Sequence, residues 1–329
     1  MRTGACKFEI NDQHSFFAEL LRKNISMSSV SKDSSPFVRG VLIMVLAGLV
    51  LSTGGPIIRQ IEEASGFQIV FWRSVTMAVF IFLILLARDR ASIVPTLRGV
   101  GIPGISGGLF LGIGFFGYVF SITNTSVANT LFLISTVPFF TAIFARLLLR
   151  EKVGKPTIIA IIVALIGVTI MVGQGLNAGR WLGNVMGIVC AVATSLYIIS
   201  IRYGSVRYER VTDMVPTVCV AGVIGAIIAF IIEGGDVGIS NNDLAWCAVA
   251  GAFQVGLGFM LYTMGSRYVR AAELSLLGLI EVIIGPIAVW LLLAELPDIY
   301  TVIGGAVVLL AIAGLALWSL RTSQPGNVS

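Results

Sequence analysis

Glu281 is a carboxylate inside an apolar stretch, AAELSLLGLIEVIIGPIAVWLLLAE at Ala271–Glu295. About 20 residues at 1.5 Å each span about 30 Å, so the stretch is long enough to cross a bilayer. Glu281 then lies about 16 Å along the helix, near mid-membrane. A charge at that depth is costly, must face the protein interior, and marks a functional site by default. A carboxylate there could bind a cationic or amine group of a substrate, or carry a proton. The structural alternative is a buried ion pair or helix cap that locks helices together. Arg73, in the segment FWRS, is the natural counterpart. Its planar fork suits carboxylates, either that of Glu281 or that of a substrate. A structural ion pair, or snorkelling to the interface, is equally open to it. Trp72 beside it either lines the same site or belongs to the aromatic belt at the membrane surface.

Other polar residues stand in apolar surroundings: Tyr118, Tyr262, Gln254, Asn129 and Glu273. Each taken alone reads as an interhelical hydrogen bond. Taken together they are candidates for the wall of a central cavity. Pro138 and Pro286 fall inside helices, where proline removes a backbone bond and kinks the chain. The carbonyl freed by Pro286 belongs to Val282, next to Glu281. Glu151 and Glu295 end their helices beside polar loops, a structural position where a carboxylate bonds the amides that open the next helix.

Other kinds of chemistry lack their residues. The only histidine is His14, near the N-terminus, so neither a His-ligated metal site nor a histidine proton relay is available inside the membrane. No Walker motif is present, which excludes the P-loop form of nucleotide hydrolysis. Clustered carboxylates, His or Ser near the interface, as a lipid-modifying enzyme would need, are missing. The chain is therefore expected not to be an enzyme and to need no cofactor or metal. Cys6, Cys190, Cys219 and Cys247 form no CxxC pair and read as small buried hydrophobes.

The elements that must position these residues follow from composition. The chain is 57% hydrophobic and 12% charged, where about a quarter charged is usual for soluble domains. Ten apolar windows predict helices at Phe37–Ile58, Gly66–Ala87, Gly99–Ser121, Val127–Leu149, Lys155–Gly173, Trp181–Ile201, Asp213–Ile232, Leu244–Gly265, Ala271–Ala294 and Tyr300–Leu320. Residues 1–36 form a polar tail without the plan of a signal peptide, and Met27 opens a Ser-rich run that is a second candidate start. Placing both termini in the cytoplasm puts 18 of the 22 Lys and Arg residues on the cytoplasmic side. That bias fixes the expected orientation and explains the net charge of +5 without nucleic acid.

The second half repeats the first. Displaced by 144 positions, LGIGFFGYVF at Leu111 lies over VGLGFMLYTM at Val255. Gly112, Gly114, Phe115 and Tyr118 meet Gly256, Gly258, Phe259 and Tyr262; Ala128 meets Ala272, and Glu151 meets Glu295. A displacement of 143 puts Arg59 over Arg202. Each half holds five helices, an odd number, so the halves enter the membrane from opposite sides. The expected fold is an all-α integral membrane protein of two inverted five-helix repeats, residues 37–176 and 177–320, with tails at 1–36 and 321–329. Secondary transporters are built this way, with substrate bound near the midplane between repeats.

Two copies of one pattern carry a family resemblance: Ala128, Pro138 and LLLRE ending at Glu151, then Ala272, Pro286 and LLLAE ending at Glu295. Phe71-Trp72-Arg73 and Thr301 with Gly304-Gly305 add to it. Over residues 37–320 the chain resembles the EamA-type branch of the drug/metabolite transporter superfamily. The resemblance implies a secondary transporter in the cell inner membrane. Its cargo would be a small metabolite, such as an amino acid or related compound, moved outward by alternating access. The alternatives are a larger solute (a vitamin, drug or nucleotide-sugar) or an enzyme acting on a lipid-linked substrate. The expected partners are the small-molecule substrate, the lipid bilayer and a coupling proton. The oligomeric state is left open.

Overall fold

The computed structural model describes residues 36–58, 60–88, 93–125, 127–172, 181–207, 214–285 and 299–322. Each of the ten apolar windows contains helix, and no strand occurs among the described residues. We number them α1 (Pro36–Leu51, continued by Gly54–Ile58), α2 (Gly66–Arg88), α3 (Gly101–Asn124) and α4 (Val127–Ile134 with Val137–Phe144). There follow α5 (Lys155–Val172), α6 (Trp181–Arg207), α7 (Pro216–Ile232), α8 (Asn241–Val249, then Gly258–Gly265), α9 (Ala271–Gly278 with residues 280–285) and α10 (Ile299–Thr322). Five helical stretches are long and apolar enough to span a membrane: Phe37–Ile58, Gly66–Arg88, Gly101–Asn124, Trp181–Ser205 and Asn241–Gly265. Shorter apolar helices occupy α4, α5, α7 and α10. Large apolar side chains such as Leu83, Ile159 and Leu310 stand exposed on the outside of the bundle. Hydrocarbon, unlike water, leaves them without penalty.

Two departures from regular helix shape the interior. α4 breaks at Ser135–Thr136, just before Pro138, and α9 breaks at Leu279. Leu279 lies over Ser135 in the repeat, so the two halves share the break as well as the helices. Pro138 follows the first break by three residues, whereas Val282 stands at that distance from Leu279. The shared break is therefore a property of the fold and not of one residue type. Two π-helical segments also appear, Ala145–Leu149 at the end of α4 and Ala250–Leu257 in the middle of α8. Such wide turns rotate the following side chains and recur at functional sites.

Small residues set the packing. α3 and α6 meet where Gly117 approaches the backbone of Cys190 and Met186; a Cβ there would be 2.8 Å from Cys190 N and Met186 O. α5 meets α10 at Gly167, 2.8 Å from Gly304 O on the same measure. α2 meets α8 at Gly251, whose Cβ would collide with Thr76 Oγ1 and with the carbonyl of Arg73. α1 crosses α9 at Gly48, directly beside Ile280 and the amide of Glu281. Without a hydrophobic force between helices in lipid, such close backbone approach is what holds them.

One end of the bundle is closed by Asp243, which is 1% exposed. Its carboxylate accepts from the amides of Glu62, Glu63 and Ala64 at 3.2, 3.0 and 2.9 Å. Ser240 caps the same helix by accepting from Asp243 N. One acid thus ties the α1–α2 loop to the start of α8, a role that sequence patterning does not reveal. Ser65 adds a bond to Glu233 at 2.6 Å.

Cys190, Cys219 and Cys247 are buried and free, as expected, while Cys6 and His14 lie outside the described residues. A thiol-reactive fluorophore therefore reports unfolding in detergent. By that measure Gly251→Ala should lose about 1–3 kcal/mol through overpacking and fall in folded yield. Asp243→Ala should lose about 2 kcal/mol, because three amides are left without an acceptor, whereas Asp243→Asn, which keeps one carbonyl oxygen, should lose less. Wild-type melting in Asp243→Ala would remove the clasp from the account of stability.

Candidate functional site

Arg73 lies in α2 and is 5% exposed. The Gly251 contact draws α8 against its backbone, while its side chain runs toward α3. There the guanidinium carbon sits 5.5 Å from the centroid of Phe115 and 5.4 Å from that of Tyr118. These rings are three residues apart on one helix, hence on one face. They provide cation–π attraction, but they do not use the N–H groups. Nε and Nη1 of Arg73 are buried with no hydrogen-bond partner among the described residues.

Gln254 lies in the π-helical part of α8 and is 2% exposed. Its Nε2 donates to Leu51 O at 3.3 Å, where α1 breaks before its Gly54–Ile58 continuation. Its Oε1 is buried and unbonded among the described residues. Gly54 borders both Gln254 and Tyr118: a Cβ at 54 would lie 2.8 Å from Gln254 Nε2 and 3.3 Å from Tyr118 Oη. Any larger residue at 54 would fill this corner.

Glu281 stands in the first turn of α9 beyond the break at Leu279, whose carbonyl accepts from Val282 N at 3.0 Å. The side chain is half-buried while enclosed by the bundle. Its charge acts on Arg73, Tyr118, Cys190 and Tyr262. Among the described residues, Glu281 and Arg73 act on each other through space and do not form a contact ion pair. One interior region thus holds a cation with free donors, an acid with accessible surface, and a free amide oxygen.

The remaining candidates divide. Tyr118 belongs to this region. Tyr262, its equivalent in the repeat, donates its hydroxyl to Leu274 O at 3.3 Å and so braces the first segment of α9. Trp72 donates Nε1 to Val237 O at 2.7 Å, which ties it to the α7–α8 loop. Asn129 lies on α4, but its side chain, like Pro286 and Glu295 altogether, lies outside the described residues. Pro138 stands in the first turn of Val137–Phe144, beside the α4 break.

Glu151 does not bond the next helix's amides as expected. It accepts from Arg202 Nε at 3.1 Å, and Arg202 Nη1 donates to Ser266 O at 3.1 Å. This link joins the end of α4 to α6 and to the α8–α9 loop. Arg150, in the left-handed region at φ 55°, turns the chain so that Glu151 can reach. Glu273 is coupled to Arg270, Glu151 and Arg202, which assigns it to this end of the bundle and not to the Glu281 region. Between the two levels sit the rings of Phe259, Tyr197 and Tyr262, with Phe259 5.8 Å from both Phe115 and Tyr197. Thr263 donates to Phe259 O, so Tyr197 is the donor in its bond to Thr263.

Phe115 was not expected as a site residue, although GFFGY places Phe115 and Tyr118 on one helical face. The Arg202 pairing was not expected either. The overlay of Arg202 on Arg59 is a signal for a helix-end role, but gives no partner.

Comparison with known proteins follows the same two halves. The family model of the EamA-like transporter family matches residues 38–173 and again 181–317. An uncharacterized transporter of Clostridium kluyveri is 29% identical over 198 residues, 56% of this chain, and the match spans 62% of that protein's length. The pseudopaline exporter CntI of Pseudomonas aeruginosa is 23% identical over 282 residues, covering 84% of this chain and 95% of the exporter. A crystal structure described only as that of a protein is similar in fold, with a TM-score of 0.68 at 21% identity, covering 87% of this chain and 99% of its own. With both halves matched, each carrying the same broken helix, this chain belongs to the EamA-like transporter family.

Proposed function

We propose that this transporter moves a small metabolite, such as an amino acid or related compound, outward across the cell inner membrane by alternating access. The Lys/Arg bias supports placing both termini in the cytoplasm. The observation that carries the reading is the acid Glu281 at the break of α9, half-buried and facing a guanidinium that it does not touch. Similarity to an exporter supports the outward direction. Substrate enters between the repeats, meets Glu281 with its amine, and leaves when the repeats rock to open the other side. In a coupled cycle Glu281 exchanges that amine for a proton. No covalent step is required of the protein.

The Glu151–Arg202–Ser266 link lies at the end that carries the α4–α5 and α8–α9 loops, and the Tyr197–Thr263 bond stands just inside it. They close the cytoplasmic side in this state, and the cycle must break them.

Candidate substrates come from comparing the medium of overexpressing and deletion strains, followed by transport in proteoliposomes. With an identified substrate, Glu281→Gln should reduce transport at least ~10-fold, since a charged hydrogen bond is lost, and should abolish any response to an imposed pH gradient. Unchanged transport would remove Glu281 from the mechanism. Arg202→Gln should raise labelling of a cysteine introduced at Ser266, which contributes only its backbone carbonyl to the link, from the cytoplasmic side, by about threefold, the shift expected from losing a partly exposed ion pair. Equal labelling would mean that this link does not hold the cytoplasmic side shut.

A further inference from the structure

We infer that Arg73 and Gln254 form a head-group subsite for a carboxylate that bears a hydrogen-bond donor on the neighbouring carbon, the head of a 2-amino or 2-hydroxy acid. The inference rests on the transport reading of the Glu281 region and assigns the recognition to two other residues.

Arg73 supplies the first half. Its Nε and Nη1 donate to nothing among the described residues. A guanidinium carries all its N–H groups in its plane, so the rings of Phe115 and Tyr118, met by the guanidinium carbon at 5.5 and 5.4 Å, leave those groups free. Burial of an unmatched cation in a membrane interior is costly, and the cost is recovered when an anion arrives. Nε–H and Nη1–H leave opposite flanks of the planar group, so an arriving carboxylate takes one of them with a single oxygen, as a charge-assisted bond.

Gln254 supplies the second half. Leu51 O can only accept, so the amide nitrogen of Gln254 must face it, at 3.3 Å. Oε1 is thereby fixed on the opposite side, buried and unbonded among the described residues. Tyr118 ties the two halves together, since its ring lies against Arg73 while its hydroxyl and the Gln254 amide border the same Gly54. A simple carboxylate would satisfy Arg73 and leave Oε1 empty. A simple amine would satisfy Oε1 and leave Arg73 unmatched. A carboxylate with an adjacent N–H or O–H satisfies both.

The test measures binding to the purified full chain in nanodiscs by competition against radiolabelled L-leucine. The competitors keep one side chain and change the head: 2-hydroxyisocaproate, isocaproate, leucine methyl ester and isopentylamine. Leucine and the hydroxy acid should bind at least ~10-fold more tightly than isocaproate, the ester or the amine. Gln254→Leu should bring leucine and the hydroxy acid down to the level of isocaproate, leaving isocaproate unchanged. Arg73→Gln should weaken the three acids at least ~10-fold and spare the amine, and the empty Arg73→Gln protein should melt no lower than wild type because an unmatched buried charge is gone. A marked drop in melting with unchanged acid binding would show Arg73 to be structural and overturn the subsite. So would equal binding of all heads, or no binding of any acid at millimolar concentration. Binding is read without transport. Head-group selectivity in a protein that transports nothing would therefore overturn the transport reading alone, and transport indifferent to the head group would overturn the subsite alone.

Discussion

Two nitrogens of Arg73 donate to nothing among the described residues, in a side chain that is 5% exposed. Bulk solvent does not reach so buried a group, and lipid cannot complete it. The surrounding elements are arranged about that cation. Gly251 lets α8 come close enough to seal the backbone of Arg73. Two rings on α3 give the cation a soft wall. α9 breaks so that an acid stands in electrostatic reach but not in contact. Had Glu281 closed on Arg73, the two would form a finished ion pair with little to offer a ligand. Held apart, Arg73 keeps two donors unspent among the described residues.

The halves share a backbone and diverge in side chains. Both α4 and α9 break at the same place in the repeat, and α1 packs on α8 as its counterpart α6 packs on α3. Yet Glu281 overlies Val137, and Tyr118 lies against Arg73 while Tyr262 braces α9. Tyr197, which bonds Thr263, overlies Gly54. At one level of the bundle a tyrosine fills the space between α6 and α8; at the matching level between α1 and α3 a glycine leaves it to Gln254 and Tyr118. The two halves share a symmetric frame, and the side chains within it are asymmetric.

The ends are held by different chemistry. At the α1–α2 loop end, a buried carboxylate gathers three backbone amides, an arrangement that costs much to undo once formed. At the other end the Glu151–Arg202 pair is partly exposed, with side chains at 21% and 16%, and pairs of that kind contribute little net stability. The weaker fastening lies at the end that α4, α6 and the α8–α9 loop share, where relative motion of the helices has least to break.

Much of the fold is legible in the residues alone. Apolar windows of bilayer length point to helices, because few other backbones satisfy themselves in hydrocarbon. The repeat gives their pairing and inverted sense. Glu281 and Arg73 are visible as charges out of place. What a string of residues does not carry is which polar group meets which. Trp72 turns to a loop carbonyl, Glu151 reaches Arg202, and Asp243, unremarkable in sequence, becomes a clasp, because each depends on distances between helices far apart in the chain. The sequence by itself determined that charge would be buried in the membrane, since that follows from length and hydropathy alone. Only the tertiary structure decided which of those buried groups were left unpaired, since pairing is set by helix packing to within an ångström.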